Sequence, residues 1–161
     1  LSICRPNTTR EQVVNAWLAM LLQIPEQRLE CLRQLKKAGY KVYILSNINE
    51  LHVDWTLDYF RRCGIAVKGR NHLPEKDIQS ERIYLDGVFF SNEMHLAKPD
   101  ARCYEEVIKQ TGICPEETLY IDDLPANIAA GQQAGLQVLQ AVGDEWIPRL
   151  TMYDVQCTTH D

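Results

Sequence analysis

The chain has 161 residues, a net charge of −5, 45% hydrophobic residues and 24% charged residues. These values exclude a largely disordered chain, and the length suits one compact domain that buries its own core. The negative charge without a basic patch argues against nucleic acid as a partner, and no apolar run is long enough to span a membrane.

The first part of the sequence predicts two helices followed by a buried strand. Apolar residues recur at helical spacing over 8–22, and a second helix is predicted over 25–38. Residues 42–45 form a continuous apolar run of the kind found in strands that are buried on both faces. This strand is predicted to end at Ser46 and Asn47.

Weaker signals follow this strand. We predict a helix near 55–62, then a loop, then another strand between 83 and 90. From residue 101 the order of helix and strand recurs twice, with strands over 119–121 and around 138–139. Such alternation indicates an α/β fold with a parallel sheet.

Polar residues stand at the predicted carboxyl ends of these strands, which is where open parallel sheets bind ligands. Two strands end in such residues, Ser46 with Asn47 and Asp122 with Asp123. Two further candidate site residues lie close in sequence to predicted helices: Asn127 a turn beyond the aspartates, and Lys98 just before a helix. Adjacent carboxylates are oxygen ligands suited to magnesium, and a hydroxyl and an ammonium would bind phosphate oxygens. Taken singly, the pairs at the strand ends could simply cap the following helices, and Lys98 could be a solvated surface charge.

These segments resemble three of the four motifs of the haloacid dehalogenase superfamily. The second motif resembles residues 42–47, the third resembles 98–100, and the fourth resembles 119–123 with Asn127. The stretches LSNINELH and DDLPANIAAGQQAG are most similar to the branch that contains bacterial glucose-1-phosphate phosphatases.

The resemblance implies a fold and a set of residue roles. The fold would be a three-layer, Rossmann-like parallel sheet over residues 25–161, with residues 1–24 as the remnant of a helical cap. The implied roles are phosphoryl binding by Ser46, Asn47 and Lys98, of which Ser46 and Lys98 are catalytic, and Mg²⁺ binding by Asp123, Asp122 and Asn127.

The family's first motif is absent from this sequence. In the family, two aspartates separated by one residue end the central strand, between the strands that here end in Ser46 and Asp122. Unpaired backbone groups in a buried sheet cost about 1–3 kcal/mol each. We therefore expect either that an upstream segment supplies the strand or that its two neighbours pair directly, and we expect the chain alone to be inactive.

The leading hypothesis is a magnesium-dependent phosphomonoester hydrolase that acts on a small phosphorylated metabolite, such as a sugar phosphate. Its aspartyl-phosphate would form on a residue outside this chain. The alternative is a non-catalytic relative that binds phosphate or a partner protein, or a truncated inactive fragment. Dehalogenation is a weaker third hypothesis, because it needs no divalent metal. Scattered cysteines and the lack of a signal-peptide pattern favour a soluble, cytoplasmic protein.

Overall fold

A computed structural model describes residue 5 and residues 7–18, 23–70 and 82–150 of the chain. Helices and short strands alternate over this part. In chain order the elements are α1 (Arg10–Leu18), α2 (Glu26–Lys37), β1 (Tyr43–Ser46), α3 (Glu50–Arg62), β2 (Ile65–Val67), β3 (Ile83–Leu85), β4 (Gly87–Phe90), α4 (Ser91–Met94), α5 (Ala101–Thr111), a 3-10 turn (Pro115–Glu117), β5 (Leu119–Asp122), α6 (Pro125–Gln133), β6 (Gln137–Gln140) and α7 (Trp146–Arg149).

The described strands form three parallel pairs, which are β1 with β4, β2 with β3, and β5 with β6. Tyr43 lies opposite Gly87 in the first pair, and Leu119 lies opposite Gln137 in the third. Parallel strands require crossover connections, and α3 lies in the connection from β1 to β4 and α6 in the one from β5 to β6. The predicted α/β class is therefore confirmed.

In the described part of the chain, β1 and β5 do not pair with each other. Each is hydrogen-bonded to one neighbouring strand, and the residues of both strands are half-buried, whereas β2 is fully buried. Direct pairing of these two strands, which was one of the two expectations from the sequence, is therefore wrong for this part of the chain.

Apolar side chains on three helices join the β1–β4 pair to the β5–β6 pair. On α2, Leu29 belongs to the cluster against which Ile44 of β1 packs, and Cys31 belongs to the cluster against which Ile121 of β5 packs. Leu45 of β1 also packs against a buried group that is contributed mainly by α5 and α6. The two strand pairs are thus held in one core by α2, α5 and α6.

Two expectations about the segment after β1 are corrected. The helix begins at Glu50 rather than near residue 55, because the side chain of Asn49 accepts a hydrogen bond from the backbone N–H of His52 at 3.2 Å and caps it. The predicted loop contains β2, whose three residues are all buried. So short a strand shows no measurable period in a sequence.

The single strand predicted between residues 83 and 90 is two strands, which divide at Asp86. The first pairs with β2 and the second with β1. The Asp86 carboxylate accepts hydrogen bonds from the backbone N–H of Val42 at 2.7 Å and from the ammonium of Lys36 at 2.6 Å. These bonds fix the junction of the two strands beside the start of β1.

The helix predicted over 25–38 is confirmed as α2, which ends before Gly39 in the left-handed region at φ +88°. The helix predicted over 8–22 is seen as α1, and residues 19–22 lie outside the described residues. The boundary after residue 24 stays a prediction. Within the described ranges, no helix combines the length and the hydropathy needed to cross a membrane.

Candidate active site

Lys98 lies at the centre of the candidate site. Its Nζ donates one hydrogen bond to the backbone oxygen of Leu45 at 2.9 Å and another to Oδ2 of Asp122 at 2.7 Å. The side chains of Lys98 and Asp122 are 10% and 6% exposed, so they form a buried ion pair. The interpretation of Lys98 as a solvated surface charge is wrong. Its ammonium joins the carboxyl end of β1, next to Ser46, to the carboxyl end of β5.

Asn47 holds the backbone of Lys98 in place. Its Nδ2 donates to the backbone oxygen of Lys98 at 2.8 Å, and its Oδ1 accepts from the Lys98 N–H at 2.9 Å. The next residue, Ile48, is held by Ser91, whose hydroxyl accepts from the Ile48 N–H at 2.9 Å and donates to its carbonyl at 3.1 Å. Because Asn49 caps α3, the end of β1 is not simply a helix cap.

The Asp122 carboxylate accepts hydrogen bonds on both oxygens. Its Oδ2 is bonded by Lys98 and by the hydroxyl of Tyr120 at 2.6 Å. Its Oδ1 is bonded by the backbone N–H of Leu124 and by Nδ2 of Asn127, both at 2.9 Å. Burial raises the pKa of Asp122, but these hydrogen bonds outweigh it and lower the pKa to about 2. Asp122 is therefore ionised, as the counter-ion of Lys98.

Tyr120 belongs to the site but was missed by reasoning from the sequence. Its ring meets that of Tyr104 edge-on, with the centroids 5.5 Å apart. Burial, together with the hydrogen bond to Asp122, raises the pKa of Tyr120, so its hydroxyl remains protonated and donates. The available signal was a polar aromatic residue two positions before Asp122, within a strand that is otherwise apolar.

The predicted metal ligands lie together at the end of β5. Asp123 is exposed, whereas Asn127 is 4% exposed and donates its amide to Asp122. Among the described residues, no three His, Cys, Asp or Glu side chains are grouped closely enough to form a metal centre by themselves. Magnesium commonly keeps several waters and takes one or two protein carboxylates, and this donor set suits that chemistry. The metal-binding roles stay a prediction.

The arrangement is suited to binding an anion. A lysine ammonium has three N–H donors, and the two described bonds of Lys98 use two of them. Lys98 bonds the carbonyl of Leu45, and the next residue, Ser46, carries a hydroxyl at the end of β1. The structure thus brings Lys98, Asn47, Asp122 and Asn127 into one network. Ser46 is the last residue of β1 and Asp123 directly follows β5, so both stand at the strand ends that this network joins.

The close packing of Tyr120 against Gly131 of α6 can be tested by a substitution. We expect Gly131→Ala to lower the free energy of unfolding by about 1–3 kcal/mol, although alanine favours a helix over glycine by about 1 kcal/mol. The new methyl group would lie 2.7 Å from Cδ1 of Tyr120 and 3.6 Å from Cε1 of Tyr104, so the Tyr120 ring must move. Urea denaturation measures the loss. Gln132→Ala, at an exposed position of the same helix, is the control, and equal stability of Gly131→Ala and wild type would contradict the packing.

Comparison with known proteins identifies the family. A model of haloacid dehalogenase-like hydrolases matches residues 5–135. The D-ribitol-5-phosphate phosphatase of Bacteroides thetaiotaomicron is 28% identical over 151 residues, which cover 93% of this chain and 66% of that protein. A sesquiterpene phosphatase of Aspergillus oryzae is 29% identical over 121 residues, covering 70% of this chain and 48% of its own length. The chain thus spans about two thirds of the first relative and about half of the second.

Solved structures agree with this assignment. A haloacid dehalogenase family enzyme from Bacteroides thetaiotaomicron, in complex with magnesium and inorganic phosphate, is 30% identical with a TM-score of 0.67, over 86% of this chain and 65% of its own. A protein from Porphyromonas gingivalis, described as a predicted haloacid dehalogenase-like family hydrolase, is 28% identical with a TM-score of 0.69, over 93% of this chain and 67% of its own. The Rossmann-like core implied by the resemblance is thereby confirmed. The chain belongs to the haloacid dehalogenase-like hydrolase family.

Proposed function

We propose that this chain provides the residues that bind the substrate phosphoryl group and Mg²⁺ in a magnesium-dependent phosphomonoester hydrolase. The observation that carries the proposal is the buried ion pair between Lys98 and Asp122, which joins the carboxyl ends of β1 and β5. A buried ammonium fixed at such an edge is suited to neutralising a phosphoryl group in transfer. The membership of the family and its relatives named as phosphatases support the reaction class.

The protein side chains would divide the work on the phosphoryl group. The ammonium of Lys98 would offset the negative charge of the phosphoryl oxygens, and the hydroxyl of Ser46 would donate a hydrogen bond to one of them. Asn47 would contribute through Lys98, because both ends of its amide already bond the Lys98 backbone. In this proposal Asn47 would act at the substrate site by fixing the position of Lys98.

Mg²⁺ would be held mainly by Asp123, with Asp122 and Asn127 behind it. Asp123 offers exposed carboxylate oxygens, while the oxygens of Asp122 are already bonded by Lys98 and Asn127, among others. When bound, the ion neutralises charge on the phosphoryl oxygens. The magnesium and phosphate in the related Bacteroides enzyme support this choice of cofactor.

The attacking carboxylate is proposed to lie on a strand between β1 and β5. No two aspartates separated by one residue occur in this sequence. In the described part of the chain, β1 and β5 each have one hydrogen-bonded neighbour. A parallel strand between them would satisfy the remaining backbone donors and acceptors and would end beside Lys98.

The substrate is proposed to be a small phosphorylated metabolite. A relative that acts on D-ribitol 5-phosphate supports a sugar phosphate or sugar-alcohol phosphate. Similarity to the glucose-1-phosphate phosphatase branch remains part of this proposal and points to the same class.

The test is hydrolysis of p-nitrophenyl phosphate by the natural protein that carries this chain together with an Asp-x-Asp strand. We expect turnover with Mg²⁺, loss of turnover with EDTA, and recovery when Mg²⁺ is restored. Ser46→Ala is expected to lower kcat by about 10–100-fold. Thr118→Val, which removes a hydroxyl before β5 at the opposite edge of the sheet, is the control. Turnover that is indifferent to EDTA would refute the metal-dependent mechanism.

A non-catalytic phosphate-binding protein is the second candidate, because the buried ammonium of Lys98 suits an anion with or without a nucleophile beside it. Isothermal titration with inorganic phosphate separates the two. Phosphate binding that Lys98→Met abolishes, in a natural protein that has no Asp-x-Asp strand and no turnover, would establish the second candidate. A natural reading frame that encodes such a strand would exclude it.

A further inference from the structure

We propose that Tyr120 is a positioning residue, whose hydroxyl fixes the Asp122 carboxylate and, through it, the ammonium of Lys98. Oδ2 of Asp122 accepts both bonds, from Tyr120 at 2.6 Å and from Lys98 at 2.7 Å. The inference rests on the proposed function only for the role of Lys98 towards a phosphoryl group. The hydrogen-bonded chain itself is a property of the fold.

The two oxygens of Asp122 are held by residues on the two sides of Asp122 in the sequence. Leu124 and Asn127 hold Oδ1 from the start of α6, and Tyr120 holds Oδ2 from within β5. A carboxylate offers about four acceptor positions, so these bonds and the one from Lys98 use its capacity. The direction in which Asp122 can receive the ammonium of Lys98 is therefore determined by the other three donors.

Packing alone does not account for a tyrosine at this position. The ring of Tyr120 contacts Tyr104 and lies close beneath Gly131, and the ring of a phenylalanine would fill the same space. A hydroxyl that is withdrawn from water is costly unless it is hydrogen-bonded, and this half-buried one is bonded to the site's carboxylate. The ammonium of Lys98 also lies 5.8 Å from the centroid of the Tyr120 ring, so ring and hydroxyl both adjoin the lysine.

The first experiment observes Lys98 directly and needs no turnover. In ¹⁵N NMR spectra of the lysine ammonium groups, a buried and doubly hydrogen-bonded Lys98 should give a slowly exchanging signal, which Lys98→Met identifies by its loss. Tyr120→Phe is expected to shift and broaden this signal, because Asp122 loses one of the bonds that orient it. Tyr59→Phe is the matched control, since it deletes another tertiary hydrogen bond, which the hydroxyl accepts from the Ile24 N–H at 2.9 Å.

A double-mutant comparison tests whether Tyr120 acts through Asp122. In an Asp122→Asn background, Tyr120→Phe is expected to leave the Lys98 signal unchanged, because the carboxylate that couples the two residues is gone. A further measurement on the wild type guards against a variant that fails to fold. The hydroxyl proton of Tyr120 should be protected from exchange and should show a cross-relaxation peak to the ε-methylene protons of Lys98.

In the natural protein with turnover, Tyr120→Phe is expected to lower kcat about 10-fold with KM changed less than about twofold, as for residues that orient a catalytic group. An unchanged Lys98 signal and unchanged kcat in Tyr120→Phe, or a freely exchanging Tyr120 hydroxyl, would overturn the inference. A protein that shows the NMR effects but never hydrolyses phosphomonoesters would instead refute the proposed function and leave the positioning chain standing.

Discussion

Lys98→Met is expected to lower the free energy of unfolding by about 3–5 kcal/mol, the range measured when one partner of a buried ion pair is removed. Asp122 would be left with its charge in a site where its side chain is 6% exposed. The remaining donors, which include Tyr120 and Asn127, would still stabilise the carboxylate, but no opposite charge would remain beside it. Urea denaturation followed by circular dichroism measures the change.

Two further variants distinguish the effect of breaking a buried ion pair from the effect of removing any paired lysine. Lys36→Met breaks the ion pair with Asp86, in which the lysine side chain is 21% exposed and the aspartate side chain 29% exposed. It should lower the free energy of unfolding by only about 1 kcal/mol, because water screens this pair. Adding Asp122→Asn to Lys98→Met should recover about 1 kcal/mol or more, since the uncompensated charge is removed. A Lys98→Met protein as stable as wild type would contradict the buried pair.

Asp123→Ala is expected to reduce magnesium-dependent hydrolysis of p-nitrophenyl phosphate by about 100-fold or more in the natural protein that carries the nucleophile. The carboxylate of Asp122 is occupied by the network around Lys98, so Asp123 offers the exposed oxygen at the end of β5. Stability should change little, because an exposed side chain is lost. Titration with Mg²⁺ should show the same variant to bind the ion more weakly.

The control for Asp123 lies at the other end of the same strand. Glu117→Ala removes one negative charge from an exposed residue of the 3-10 turn before β5. If the loss of any negative charge near β5 lowered the rate of hydrolysis, Glu117→Ala and Asp123→Ala would lose activity equally. Full activity of Asp123→Ala would refute the assignment of this residue to the metal.

The motif-bearing part of the fold was predictable because its signals are local. The run that became β5, the proline that opens α6 and the glycine that ends α2 each specify backbone geometry within a few residues. The short strand β2 and the division at Asp86 were not predictable. The strand β2 depends on pairing with β3, and the division depends on bonds from Lys36 and Val42 to Asp86, which lies more than 40 residues away from both in sequence.

The candidate site was predicted as a set of residues but not as a network. Patterns at strand ends indicated Ser46 and the adjacent aspartates, since parallel strands expose their carboxyl ends at one edge, and Lys98 was indicated by its place just before a predicted helix. No pattern indicated that Asn47 would bond the backbone of Lys98 or that Tyr120 would bond Asp122. Such bonds depend on side-chain directions that are settled only when the helices have packed.

The network around Lys98 also has a consequence for local unfolding. Its bonds connect residues 51 and 24 positions apart, one set reaching back to Asn47 and the other forward to Asp122. By contrast, β5, α6 and β6 are contiguous and pack on one another within about two dozen residues. Separation of the β1–β4 pair from the β5–β6 pair would therefore break the network around Lys98 while each strand pair keeps its own amide protection. Hydrogen exchange should show this separation as an opening event of lower free energy than the unfolding of β5 and β6.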